Sequence, residues 1–235
     1  MARVALVVCL LLVALPVAAT IKLLIYDYPP LIAIKGQAQP SGHAIELIKP
    51  LFLQAGVPYQ FVEQPLRRAI YQAAQKQNYC TFPVIRTQQR EASFRWIGPI
   101  SINRYGLYGH PELHHKLVTL NDAKSYKIGA YAGSAVAEYL SQNGFSIDQT
   151  NSIEQGLQML KHSRIDFWVA DTQSIRQASK TANMAKLSPS LSFYTSMSFM
   201  ACNLETTDSD LLALEAELKK MYLSGQAQQL LHLSF

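Results

Sequence analysis

Along the chain, compact apolar runs alternate with segments whose apolar residues recur every three or four positions. Residues 21–26 form an apolar run of strand length, broken by Pro29 and Pro30. A polar turn region from Gly36 to Gly42 follows. His43–Ala55 then places Ile45, Leu47, Ile48, Leu51 and Phe52 at helical spacing, and Gly56 ends the pattern. Tyr59–Glu63 predicts a second strand, residues 67–77 a second helix, and Tyr79–Ile85 a third strand. A βαβαβ opening implies a parallel sheet flanked by helices.

The pattern restarts downstream. Residues 126–131 predict a strand, and Gly133-Ser134 opens a helix that runs to Asn143 and closes at Gly144. Ser152 is placed to cap a helix over 153–162, with a strand over 166–170 beyond it. Two α/β units result, joined near residues 100–105. The tail, residues 208–224, carries Leu211, Leu212, Leu214, Leu218 and Met221 along one side of a helix that Gly225 stops. A last short helix follows. No internal repeat and no low-complexity segment interrupts this order.

The amino terminus departs from the alternation. Arg3 gives a positive start, residues 4–17 are almost unbroken Val, Leu, Ala and Cys, and Val17-Ala18-Ala19 follows. That layout predicts a secretory signal, residues 1–19, cleaved after Ala19. The apolar run is short for a ~30 Å hydrocarbon core and contains Pro16, which argues against a membrane anchor. Cys9 lies inside the run rather than at its end, so a lipoprotein is not expected. The exported chain would keep Cys80 and Cys202, in a compartment where disulfides persist.

Composition narrows the function classes. Charged residues make up 16% and apolar residues 49% of the 235 positions, against a typical charged share of ~25%. Disorder needs the opposite balance. The formal net charge of +5 is spread along the chain rather than clustered, so a nucleic-acid partner is not expected.

The motifs of enzymes are missing. There is no Gly-x-Ser-x-Gly elbow, no phosphate-binding Gly-rich loop ending in Lys-Ser or Lys-Thr, and no Gly-x-Gly-x-x-Gly after a strand. No catalytic residue and no cofactor are therefore predicted, and the chain is read as a non-enzyme. His110, His114 and His115 have the spacing of metal ligands, but Pro111 disfavours a helix there, so the segment reads as a polar linker and no metal site is expected.

Four places fall at strand ends, where open α/β sheets bind ligands. Arg86-Thr87-Gln88-Gln89-Arg90-Glu91 follows the third strand. It reads equally as a clamp that grips a carboxylate through two parallel hydrogen bonds or as a solvated turn. Tyr26, Asp27 and Tyr28 follow the first strand. Gly133-Ser134 offers a helix start with unpaired N–H groups. Asp171 follows Phe167-Trp168-Val169-Ala170. Each has a plain structural reading as a turn aromatic or a helix cap. Together they put anion donors and one carboxylate around a single cleft, which suits a zwitterion.

With these residues in view, the chain resembles the periplasmic solute-binding proteins of the polar amino-acid class, the extracellular family 3 type. The resemblance spans residues 20–235. It rests on Tyr28-Pro29-Pro30, the helix start from Gly42 to Glu46, Pro65-Leu66-Arg67-Arg68-Ala69, and Arg86-Thr87-x-x-Arg90-Glu91. It continues through Trp96-Ile97-Gly98-Pro99, Lys127-Ile128-Gly129, Gly133-Ser134, Arg164-Ile165-Asp166, Asp171 and the final helix before Gly225.

The resemblance implies an α/β, two-lobed periplasmic binding protein fold of type II, each lobe a sheet flanked by helices, joined by two hinge strands. Lobe 1 would be residues 20–100 plus 197–235 and lobe 2 residues 105–192, with hinge strands near 100–105 and 192–197. It implies Arg90 as the ligand-carboxylate clamp, Gly133 and Ser134 as the anion site of the other lobe, Asp171 as the ammonium partner and Tyr28 as the stacking aromatic. Arg68 either faces the cleft or braces its lobe.

The run Thr81-Phe82-Pro83-Val84-Ile85 departs from the pattern, since amino-acid binders carry small or hydroxylated residues there. Phe82 and Pro83 argue for a smaller or differently shaped carboxylate. In this fold the strands bearing Cys80 and Cys202 would be neighbours, which makes a disulfide a hypothesis beside that of two buried thiols. The implied function is capture of an amino acid or related carboxylate by a periplasmic monomer. It would deliver the ligand to an inner-membrane ABC permease or dock a sensor protein. A periplasmic dehydratase on the same fold is the third reading.

Overall fold

The computed structural model describes residues 20–36, 38–110, 117–182, 184 and 187–231. The predicted signal, residues 1–19, and His114 and His115 lie outside them.

In the first lobe, β1 (Ile21–Ile25) runs parallel between β2 (Tyr59–Glu63) and β3 (Tyr79–Ile85). Alternate residues of a strand point to opposite faces, and β1 uses both. Leu23 and Ile25 join the apolar face of α1 (His43–Ala55), while Leu24 packs with Ala69 and Ala73 of α2 (Leu66–Gln75). That is why the run reads as continuously apolar rather than alternating.

The second lobe repeats the plan. β5 (Ile128–Tyr131) runs parallel between β6 (Ile147–Thr150) and β7 (Phe167–Asp171). Three helices cover it: α3 (Ala135–Gln142), α4 (Ile153–Lys161) and α5 (Thr172–Thr181). Ser134 and Ser152 cap α3 and α4, each hydroxyl accepting a backbone N–H at 3.3 Å. The β6 strand and α5 were not anticipated from the sequence.

Two long antiparallel strands, β4 (Arg95–Gly109) and β8 (Leu191–Cys202), unite the lobes in one eight-stranded sheet. Its order is β2-β1-β3-β8-β4-β7-β5-β6. Read inward from either edge, each half is a parallel trio followed by the two shared strands, so the lobes are topological copies. The β4–β8 register shifts between Ile97 and Ser101 and again between Tyr105 and Gly106.

The carboxy-terminal helices α6 (Asp208–Leu223) and α7 (Gln226–Leu230) return to the first lobe. Leu211, Leu214, Leu218 and Met221 of α6 join the core that holds α1. Cys80 of β3 and Cys202 of β8 are register partners and are joined by a disulfide. The crosslink spans 122 residues, a loop whose closure stabilises a fold by roughly 2–5 kcal/mol. Among the described residues no helix is long and apolar enough to cross a membrane.

Candidate ligand-binding site

The chain segments that leave β1, β3 and β5 at their carboxyl ends converge on one cavity between the lobes. Tyr26, Tyr28, Tyr105 and Tyr131 form its aromatic walls. Leu31, Leu66, Pro83 and Ile85 add apolar surface, while Arg90, Asn103, Ser134 and Ser198 bring polar atoms. The cavity measures about 30 Å³, room for about two waters. A larger guest must part the lobes to enter.

The two arginines after β3, indistinguishable by spacing, separate here. Arg86 turns outward, pairs with Glu91, and lies 5.4 Å from the Phe199 ring and 5.7 Å from the Trp96 ring. Arg90 turns inward, with its side chain 10% exposed. Its Nη2 donates to the Gly133 carbonyl at 3.2 Å and to Glu138 Oε2 at 2.6 Å. Both partners belong to the second lobe. Glu138 lies in the first turn of α3 and is half-exposed, so a carboxylate already rests on this guanidinium from the solvent side.

Gly133 has φ +78, and a Cβ there would lie 3.1 Å from the Arg67 backbone. Glycine is what lets the chain turn into α3 close against the opposite lobe. Arg67 itself donates to Gln149 across the cleft at 3.0 Å.

The tyrosines form a second network. Tyr28 donates to Asp171 Oδ2 at 2.8 Å, Tyr26 to the Pro83 carbonyl at 2.6 Å, and Tyr131 to the Asp27 carbonyl at 3.1 Å. The Tyr28 and Tyr131 rings meet edge to face at 5.3 Å, one from each lobe. Burial pushes the phenols of Tyr26, Tyr28, Tyr105 and Tyr131 above their ordinary pKa. They are therefore neutral donors at physiological pH. Asp171 is fully buried, and its Oδ1 accepts the Gln173 and Ser174 N–H groups at 3.0 Å as the cap of α5.

Tyr28, Arg90 and Ser134 thus line the cavity, with Gly133 and Asp171 bonded to its rim. Two other residues singled out in the sequence lie elsewhere. Arg68 lines a separate open groove with Tyr71, Asp148 and Asn151. Phe82 is core, its ring 6.4 Å from Phe61. Tyr105, Tyr131, Asn103 and Glu138 were missed, and Tyr26, grouped with Asp27 and Tyr28 at the end of the first strand, was given no role in the expected site. Tyr26 had a signal, since residues two apart in extended chain share a face with each other. Among the described residues, no group of three or more His, Cys, Asp or Glu side chains is placed to hold a metal ion.

No protein-family model and no curated protein sequence matches the chain. Solved structures do. A histidine kinase sensor domain with similarity to periplasmic binding proteins superposes with a TM-score of 0.82 at 17% identity, covering 90% of this chain and 93% of its own. A mutant of the protein ArgBP from T. maritima gives 0.79 at 17% identity, covering 91% and 93%. An ancestral amino acid-binding protein, a precursor of cyclohexadienyl dehydratase, gives 0.75 at 17% identity, covering 91% and 93%. The chain has the two-lobed α/β fold of periplasmic binding proteins.

Proposed function

We propose that the protein is a periplasmic solute-binding protein. It captures a small carboxylated solute between its lobes and delivers it to an ABC permease of the inner membrane. The observation that carries this reading is Arg90, a buried guanidinium at the lobe interface whose Nη2 already holds a carboxylate and a carbonyl from the opposite lobe. Charge-assisted bonds of this kind are the strong ones. A ligand carboxylate would take over the place of Glu138, and the lobes would close about hinges near residues 100–105 and 192–197.

Binding without chemistry is favoured because the described lining contains no imidazole or carboxylate to act as acid or base. The Cys80–Cys202 disulfide suits an oxidising compartment outside the cytoplasm. The similarity to a kinase sensor domain motivates the second reading, the same clamp docked on a membrane signalling partner.

Thermal-shift and calorimetric titration against a panel of small carboxylates tests the site. Arg90→Ala should lower the affinity of any hit by roughly 100-fold, as expected for a hydrogen-bonded buried charge, and leave the folded state intact. An undiminished affinity in Arg90→Ala would overturn the assignment.

A further inference from the structure

A guanidinium grips a carboxylate with two parallel bonds along either of two edges, Nε with Nη2 or Nη1 with Nη2. Both edges of Arg90 therefore depend on Nη2. That nitrogen carries two N–H groups, and two acceptors of the second lobe draw on them: the Gly133 carbonyl at 3.2 Å and Glu138 Oε2 at 2.6 Å. While both stay, a ligand carboxylate meets at most one free N–H on either edge.

The two acceptors differ in what they can do. The Gly133 carbonyl belongs to the backbone turn that leads into α3, where φ is +78 and Ser134 caps the helix. It moves only with its lobe. Glu138 offers a side chain, half-exposed beside the buried Arg90, and it can rotate into water. Its carboxylate also carries the same charge as the ligand, at the one cation among the described lining residues.

Resting on the Arg90 clamp just proposed, we infer that Glu138 is a built-in competitor for that clamp. It is an internal counterion that holds the empty protein closed and must swing aside before a ligand carboxylate is gripped by two bonds. When the lobes part, Arg90 leaves Gly133 and Glu138 together, because both belong to the opposite lobe. A carboxylate taken up by the open form meets Glu138 again as the lobes close. The side chain thus acts twice, favouring closure without ligand and opposing closure over it. Both effects weaken the apparent affinity.

Glu138→Gln keeps the size of the side chain and removes its charge. Acetate, L-lactate, L-alanine and L-glutamate, titrated calorimetrically into the purified protein, are the probes. Any of them that binds should bind Glu138→Gln roughly tenfold tighter than the wild type, the scale of a charge-assisted bond at a half-exposed partner. Glu138→Ala should gain affinity as well. Without ligand, small-angle X-ray scattering should find Glu138→Gln more extended than the wild type. A residue that only braced α3 or helped to orient the ligand would not gain affinity on substitution. Unchanged or weaker binding in both Glu138 variants, with affinity lost in Arg90→Ala, overturns the inference and leaves the clamp standing. So does scattering from the empty protein that Glu138→Gln leaves unchanged. Failure of every probe to bind any of these proteins, or binding indifferent to Arg90→Ala, overturns the clamp itself and the inference with it.

Discussion

Arg90 and the four cavity tyrosines hold the site together by opposite means. Arg90 is a permanent charge whose partners come from across the cleft. The tyrosines are neutral donors kept neutral by burial. That difference sets a pH dependence. In the unfolded chain a phenol titrates near ~10, whereas in the folded protein these four titrate higher. The stabilisation they contribute is therefore complete below pH ~10 and is lost as pH rises toward their folded values, at roughly 1.4 kcal/mol per pH unit for each tyrosine. The melting temperature should hold between about pH 7 and 9 and fall steeply above about pH 10. Tyrosinate absorbance from these residues should appear together with unfolding. Phenols that titrate near their ordinary value without loss of structure would contradict the burial described for them. At this scale the sequence was partly legible. Arg90 followed from the resemblance, while Glu138 is a half-exposed helix residue that nothing in its neighbours marks as the partner of a buried cation.

Elements came through where periodicity and end signals agreed. α1 reads cleanly because its apolar positions repeat at helical spacing and Gly56 stops it. α3 and α4 read through their serine caps. β6 escaped because Ile147–Thr150 is an edge strand with two exposed polar residues and no alternation worth the name. α5 escaped because its buried face is Ser174, Ile175, Ala178 and Ser179, too polar to stand out. The fit of α4 on β7 gives a test of packing. Gly156 lies inside α4, where alanine normally gains up to about 1 kcal/mol over glycine. Here an added Cβ would fall onto the fully buried Trp168 indole. Overpacking costs typically ~1–3 kcal/mol, so Gly156→Ala should destabilise the protein despite its better propensity. Chemical denaturation checks this, and a neutral or stabilising result would mean that the helix and the indole do not meet this closely.

On the scale of the whole molecule, the lobes are topological copies sharing β4 and β8, and their contacts gather at one place. Arg90 with Gly133 and Glu138, Tyr28 with Asp171, Tyr131 with Asp27 and Arg67 with Gln149 all cross the cleft. A ligand can shift such an equilibrium only by binding the closed form better than the open one, and on the proposed function a guanidinium gripping it between the lobes would supply that difference. Small-angle X-ray scattering on the wild-type protein and Arg90→Ala, each with and without a carboxylate hit, tests this most directly. Closed wild-type protein should show a radius of gyration of about 17 Å, the value for a compact chain of this length. The account predicts that saturating carboxylate holds the wild type at that value, while Arg90→Ala is measurably more extended and does not contract at any ligand concentration. Identical scattering from the two proteins under all four conditions would contradict closure on Arg90.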